Sequence, residues 1–318
     1  MDYCNKCPHQ CNADRALAKG WCRADDRIHV ASLVIHKGEE PPISGEKGIV
    51  NLFFPSCNMQ CVYCQNYEIS ERGTQGTVMT LDEVCDAIIE LLPLSEGNIG
   101  FVSPSHFVPQ MINIIEELWK RGHHPTIVYN TNGYDLPETI MSLEGIVDVW
   151  LPDFKYSNDK LAVELSEAPG YSACALSALK AMTHQVGVTL QTDDHGIARR
   201  GIIVRHLVLP GFVQNSIGVL KLISEALSPN LHISLMSQYY PPENNVRFSN
   251  SDLHLKVGNR KSQIANRKSL LHPITRQEYE AVLDAFHSLG FSRGWLQDYD
   301  SNHSYRPDFS KKDPFGVK

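Results

Sequence analysis

No stretch of about 18 uninterrupted apolar residues occurs in this 318-residue chain, so a membrane-spanning helix is not expected. The first residues, Met1-Asp-Tyr-Cys-Asn-Lys6, lack the charged and apolar regions of a signal peptide, and the expected location is the cytoplasm. Excess positive charge is missing as well. Twenty-nine Lys and Arg stand against 36 Asp and Glu, a formal net charge of −7, which argues against a phosphate-backbone footprint and so against nucleic acid as a partner. The one basic run, Asn259 to Lys268, sits in a polar segment and reads as a solvated loop. No internal repeat of solenoid type is present.

What the chain does have is apolar residues, 42% of the total, enough for a substantial core, and nine cysteines. Seven of the nine fall in two tight groups before residue 65. In a small secreted domain these would read as a disulfide framework; in a chain of this size without a signal they favour metal ligation.

The second group is the more informative. Cys57, Cys61 and Cys64, in Ser56-Cys-Asn-Met-Gln-Cys-Val-Tyr-Cys-Gln-Asn66, directly follow the apolar run Ile49 to Phe54. Three thiolates so spaced can hold three irons of a four-iron cluster and leave the fourth open to a substrate. An open position marks a reaction centre rather than an electron wire. A zinc knuckle is the alternative, but it wants a fourth ligand close by, and the next cysteine and histidine are Cys85 and His106. The first group, Cys4, Cys7, Cys11 and Cys22, supplies four thiolates and hence a closed site, structural or electron-carrying, for zinc or an auxiliary iron–sulfur cluster, with four reduced cysteines holding no metal as the plainer reading; His9 can replace one thiolate.

From Ile49 onward, short β-branched and aromatic runs alternate with stretches of helical period, the pattern of repeated strand–helix units on a parallel sheet. Strands are expected at 49–54, 99–102, 126–129, 147–151, 202–209 and 231–236. Helices are expected at 81–92, where Thr80 and Glu83 have capping-box spacing, and at 108–121, 137–143 and 276–289, the last ending at Gly290. Residues 1–47 form a Cys-rich metal-binding extension with a Pro-rich hinge at 38–45, residues 48–318 the main domain, and 241–273 a polar loop insertion. Parallel strand–helix barrels carry their reactive residues on the turns after the strands, and the cysteine loop occupies the first such turn.

The Cys57-x3-Cys61-x2-Cys64 frame with Tyr63 before its last cysteine resembles the cluster loop of the radical S-adenosylmethionine (SAM) superfamily. From Cys4 to the helix start at Pro273–Tyr279 the chain resembles the subgroup labelled as similar to pyruvate formate-lyase activating enzyme. The resemblance implies an incomplete (β/α)6 barrel and a 4Fe-4S cluster on Cys57, Cys61 and Cys64. It also implies reductive cleavage of SAM to a 5′-deoxyadenosyl radical and hydrogen abstraction from a substrate. The implied partners are a glycyl-radical enzyme or another protein substrate, with a small metabolite as the alternative, and a flavodoxin- or ferredoxin-type electron donor. Asp153 and Lys155 resemble the Asp-x-Lys element of glycyl-radical activating enzymes, with a surface salt bridge as the plainer reading, and Asn130-Thr131-Asn132 resembles the turn after their third strand. Arg205 or His206, the pair that interrupts an otherwise apolar run, is assigned by the resemblance to the SAM or substrate region, with a satisfied core histidine as the plainer reading of His206 alone, and Gln238 and Tyr239 either reach the adenine or the substrate or serve in packing. Where the superfamily often has Gly-Gly-Glu, this chain reads Ser103-Pro-Ser-His106, so either Ser103, Ser105 or His106 supplies acceptor lone pairs in its place or the turn is a plain loop. A metal-binding or electron-transfer module without radical chemistry is the competing reading.

Overall fold

The computed structural model describes residues 3–17, 20–241, 268–301, 307–309, 311 and 313–315. The expected basic run apart from Lys268, and most of the expected loop insertion, lie outside these, at residues 242–267.

One sheet organises the molecule. Its strands are β1 (Ser32–His36), β2 (Ile49–Phe53), β3 (Asn98–Val102), β4 (Thr126–Thr131), β5 (Val149–Pro152), β6 (Ala198–Leu207), β7 (His232–Met236) and β8 (Gly294–Leu296), and they lie side by side in sequence order. Along this row only β1 is antiparallel to its neighbour and every pairing from β2 to β8 is parallel; off the row, the two-residue strand Gln191–Thr192 pairs antiparallel with β6. Among the described residues β1 and β8 do not pair, so the curved sheet stays open on one side, an incomplete barrel of the expected kind. All six expected strands are in it. The two additions are its edges. Strand β1 comes from within the N-terminal extension, and β8 is a three-residue strand after the final helix.

The helices follow from their caps and periods. Leu81–Leu91 and Arg276–Ser288 each begin with a complete capping box, Thr80 with Glu83 and Thr275 with Glu278. Val108–Lys120, Tyr171–Val186 and Val213–Ala226 complete the outer layer. Because successive strand residues face opposite ways, Leu52, Phe101, Tyr129, Trp150, Val204 and Leu235 bury themselves under these helices. Their neighbours face the lumen. Its floor is the small cluster of Ile43, Ile49, Val128, Val149, Leu151 and Ile203, and above that layer the inward residues turn polar: Asn51, Asn130, Asp153, Arg205 and Ser234.

Gly100 shows how tight this transition is. A Cβ there would sit 2.1 Å from Asn51 Oδ1, a distance no methyl group tolerates. Gly100→Ala is therefore expected to cost about 1–3 kcal/mol of unfolding free energy by pushing Asn51 out of place. A denaturant titration against the parent checks this, and an unchanged midpoint would refute it.

Candidate active site

The cysteine loop leaves β2 through Ser56, which sits at φ 64°, an uncommon backbone state for a residue with a side chain. The turn is fixed from both sides: Ser56 N donates to Ile69 O at 2.7 Å and Ser56 Oγ to Cys22 O at 2.6 Å. Further along, Gln60 N and Val62 N donate to Ser166 O and Leu165 O, both at 2.9 Å, which lays the loop against the end of the Asp159–Ser166 helix. Each of the three sulfurs then has an N–H or O–H group at hand. Cys57 Sγ accepts from Met59 N and from Asn132 Nδ2, both at 3.3 Å; Cys61 Sγ accepts from Ser166 Oγ at 3.0 Å; Cys64 Sγ lies 3.0 Å from Ser70 Oγ.

This donor set suits thiolates holding an iron–sulfur cluster, whose sulfurs are tuned by such outer hydrogen bonds. Burial, and the Cys61 and Cys64 sulfurs beside it, push the Cys57 thiol up to about 12, so three thiolates share this space only with a cationic group among them. Among the described residues no three His, Cys, Asp or Glu side chains close on a single metal ion, and all nine cysteines are free of disulfides. The next cysteine and histidine in sequence are engaged elsewhere: Cys85 Sγ points to Ile114 O at 3.8 Å and His106 Nε2 lies 2.9 Å from Pro55 O.

The loop opens on a cavity of about 860 Å3 in the upper lumen, bordered at its mouth by Pro307, Asp308, Lys311, Pro314 and Phe315. Facing the cysteines across it is an ion network. Lys155 Nζ lies 2.5 Å from Asp153 Oδ2, and Arg205 Nε 3.0 Å from Asp153 Oδ1. Arg205 also reaches Glu39 Oε2 at 3.2 Å and donates to Asn130 Oδ1 at 2.5 Å. The side chains of Asp153, Lys155 and Arg205 are only 14–16% exposed, so this is a buried network and not a surface bridge. Burial alone would raise the Asp153 carboxyl, but Lys155 and Arg205 hold it below its ordinary value. For Lys155, Asp153 likewise outweighs burial.

Several expected residues thus line one cavity: Cys57, Cys61, Cys64, Ser103, Asn130, Thr131, Asn132, Asp153, Lys155, Arg205 and Gln238. Others do not. His206, next to Arg205, faces the opposite side of the strand, where its ring bonds Phe154 O at 2.7 Å and Ser216 Oγ at 2.8 Å; burial holds it down to about 4, so it is a neutral packing histidine. Of the Ser103–His106 turn only Ser103 borders the cavity. Ser105 Oγ is buried 3.4 Å from Thr131 Oγ1, and His106 ties the turn to Pro55. Tyr239 donates its hydroxyl to Leu270 O at 2.6 Å and serves in packing.

Two site residues escaped the sequence reading. Glu39 and Glu40 lie in the segment read as a hinge, yet both line the cavity. Glu39 Oε1 accepts from Asn51 Nδ2 at 2.9 Å and lies 3.3 Å from His36 Nδ1. In the sequence they are a Glu-Glu pair just before Pro-Pro, a few residues after the apolar run Leu33-Val34-Ile35, with nothing nearby that names Arg205 or the cavity.

The N-terminal cysteines pack beneath this loop. Cys7 and Cys22 are buried, Cys4 is partly so and Cys11 is exposed; burial first, then Cys22, Cys4 and Cys11, push the Cys7 thiol up to about 12. His9 is not directed at them. Its ring stacks on Trp21 at 3.8 Å and its Nε2 bonds Asn58 O at 2.8 Å, which makes it a strut between the two cysteine segments.

Asn132 holds both the loop and a sulfur, donating to Asn58 Oδ1 at 2.7 Å as well as to Cys57. Asn132→Ala is expected to lower iron retention by about 10- to 100-fold, the usual cost of losing an outer-shell partner. Iron analysis after chelator challenge measures it, and parental retention would refute it.

Residues 51–192 match the family model described as Radical SAM superfamily. The protein MJ0674 of Methanocaldococcus jannaschii is 28% identical over 245 residues, covering 75% of this chain and 66% of that protein, so the chain spans just under two thirds of that relative's length. Among solved structures, Streptococcus suis SuiB bound to the precursor peptide SuiA aligns with TM-score 0.45 at 9% identity, covering 77% of this chain and 48% of that one. Methylornithine synthase aligns with TM-score 0.44 at 13% identity, covering 83% and 77%. The match over residues 51–192 contains the cysteine loop, and over that stretch the chain is similar to the radical SAM superfamily.

Proposed function

We propose that the protein is an iron–sulfur enzyme that binds SAM in the lumenal cavity and abstracts hydrogen from a substrate held there. Bound on the three cysteines, a 4Fe-4S cluster would supply the electron that splits SAM to methionine and a 5′-deoxyadenosyl radical. The observation that carries this reading is that the Cys57–Cys61–Cys64 loop and the Asp153–Lys155–Arg205 network face one another across a single cavity. Lys155 offers a partly buried ammonium to a carboxylate, and Asp153 orients it. Asn130, Asn132 and Gln238 present amides to the polar edges of ribose and adenine, and Ser103 supplies a hydroxyl where the family often has a carboxylate.

Within this reading, the likeness to pyruvate formate-lyase activating enzyme supports a finer one. The abstracted hydrogen would come from a backbone glycine of a glycyl-radical enzyme, reached through the open side between β1 and β8, with a flavodoxin- or ferredoxin-type donor in a reducing cytoplasm. A small metabolite is the alternative substrate. Cys4, Cys7, Cys11 and Cys22 are proposed to hold zinc or an auxiliary cluster. The test is 5′-deoxyadenosine formation by the anaerobically reconstituted, reduced protein, together with electron spin resonance spectra with and without SAM. A product and a SAM-dependent change in the cluster signal are expected. A protein that yields neither is a metal-binding or electron-transfer module instead.

A further inference from the structure

The deep wall of the cavity carries three carboxyls, Glu39, Glu40 and Asp153, against two fixed cations, Lys155 and Arg205. Neither cation pairs with Glu40: Lys155 faces Asp153, and Arg205 faces Asp153 and Glu39. Glu39 is further held by Asn51 and by the ring of His36. Glu40 is left over. It is 8% exposed, stands beside Ser234, and its Oε2 is buried with no hydrogen-bond partner among the described residues. An unpaired buried carboxyl oxygen is costly, and such groups concentrate where a ligand completes them. Among the described residues nothing completes that oxygen, and the lumen floor, Ile43, Ile49, Val128 and Ile203, is apolar.

We infer that Glu40 anchors a cationic nitrogen of the substrate, an ammonium or guanidinium group drawn into the lumen past the cysteine loop. Such a group supplies the charge that balances the third carboxylate and the donor that Oε2 lacks, in a site too dry to leave either unmet. An anionic group in the same place would meet Glu39, Glu40 and Asp153 together. Burial pushes the Glu40 carboxyl up, the Arg205 charge opposes this, and the Glu39 charge adds to it, a balance that an arriving cation shifts toward the ionised carboxylate. The inference rests on the radical reading only in taking the cavity as the place where a substrate is held; the binding itself needs no SAM cleavage.

The test uses the full-length, anaerobically reconstituted protein and two probes: n-butylammonium for a free amine and Nα-acetyl-lysine methylamide for a peptide-borne one. Calorimetry against n-butanol and butyrate is expected to show saturable binding of at least one cation about 10-fold tighter than either isostere, falling about 10-fold in Glu40→Gln and less in Glu40→Asp. Tighter binding of the acetyl-lysine probe favours a protein-borne group, and binding of butylammonium alone favours a metabolite. Equal binding of butanol or butyrate, or undiminished cation binding in both variants, overturns the inference. So does displacement of the probe by SAM, since Glu40 would then serve the cofactor. A parent protein that binds the amine but forms no 5′-deoxyadenosine leaves this inference standing and removes the radical one.

Discussion

Cys61→Ala is expected to abolish 5′-deoxyadenosine formation and to strip iron from the loop while leaving the fold intact. Two thiolates remain, and a cluster that already leaves one iron without a protein ligand cannot spare a second. Outer-shell changes cost about 10- to 100-fold in metal affinity, so loss of a ligand is expected to exceed about 100-fold. Cys61 is also the sulfur that accepts from Ser166 Oγ, on the helix end to which the loop backbone is bonded, so its removal leaves that hydroxyl with Tyr156 Oη as its remaining side-chain partner. Cys85→Ala is the matched control: its thiol is buried against the Val108–Lys120 helix and does not line the cavity. Iron and sulfide analysis, with chromatography of the anaerobic reaction, reads both variants. Undiminished product from the Cys61 variant would end the proposed chemistry, and iron that persists in it would be assigned to Cys4, Cys7, Cys11 and Cys22.

The frame of this site was legible because its signals are local. A strand–helix alternation is a matter of period, and Thr80 with Glu83 announces a helix start three residues apart. The cysteine spacing, too, is contained within eight residues. What stayed hidden depends on distance along the chain. Glu39 meets Arg205 across 166 positions, and nothing near either residue names the other. Strand β8 has three residues, too few for a period to register, and is recruited only because β7 offers an unpaired edge. Arg205 and His206 interrupt an apolar run together, so the sequence does not say which of the two serves the site; neighbours in a strand face opposite ways, and the register of β6 sends only Arg205 inward. Asp153 and Lys155, two apart, fell on one face for the same reason.

Arg205→Met is expected to destabilise the protein by about 3–5 kcal/mol at neutral pH, the cost of leaving buried carboxylates without their cation. Arg205 is the only described side chain that pairs with both Glu39 and Asp153, and methionine keeps much of its volume without its charge. The pH dependence gives the mechanism away. In the parent, the carboxyls of Glu39 and Asp153 are held low, Glu39 at about 2. Their stabilisation is therefore present above their unfolded values near 4 and is lost as pH falls through the folded ones. Glu40, pushed up, works the other way, losing stability as pH rises through its folded value. Without Arg205 all three carboxyls move up, so the variant's deficit should be greatest near pH 7 and shrink toward pH 4–5, where protonation removes the stranded charges. Arg205→Lys keeps one charge but cannot span both carboxylates, and should fall between. Urea unfolding of the three proteins at the two pH values decides it. A deficit below about 1 kcal/mol, or one that does not narrow on acidification, would mean that the pairs behave as solvated surface bridges and that the lumen is wetter than its burial implies.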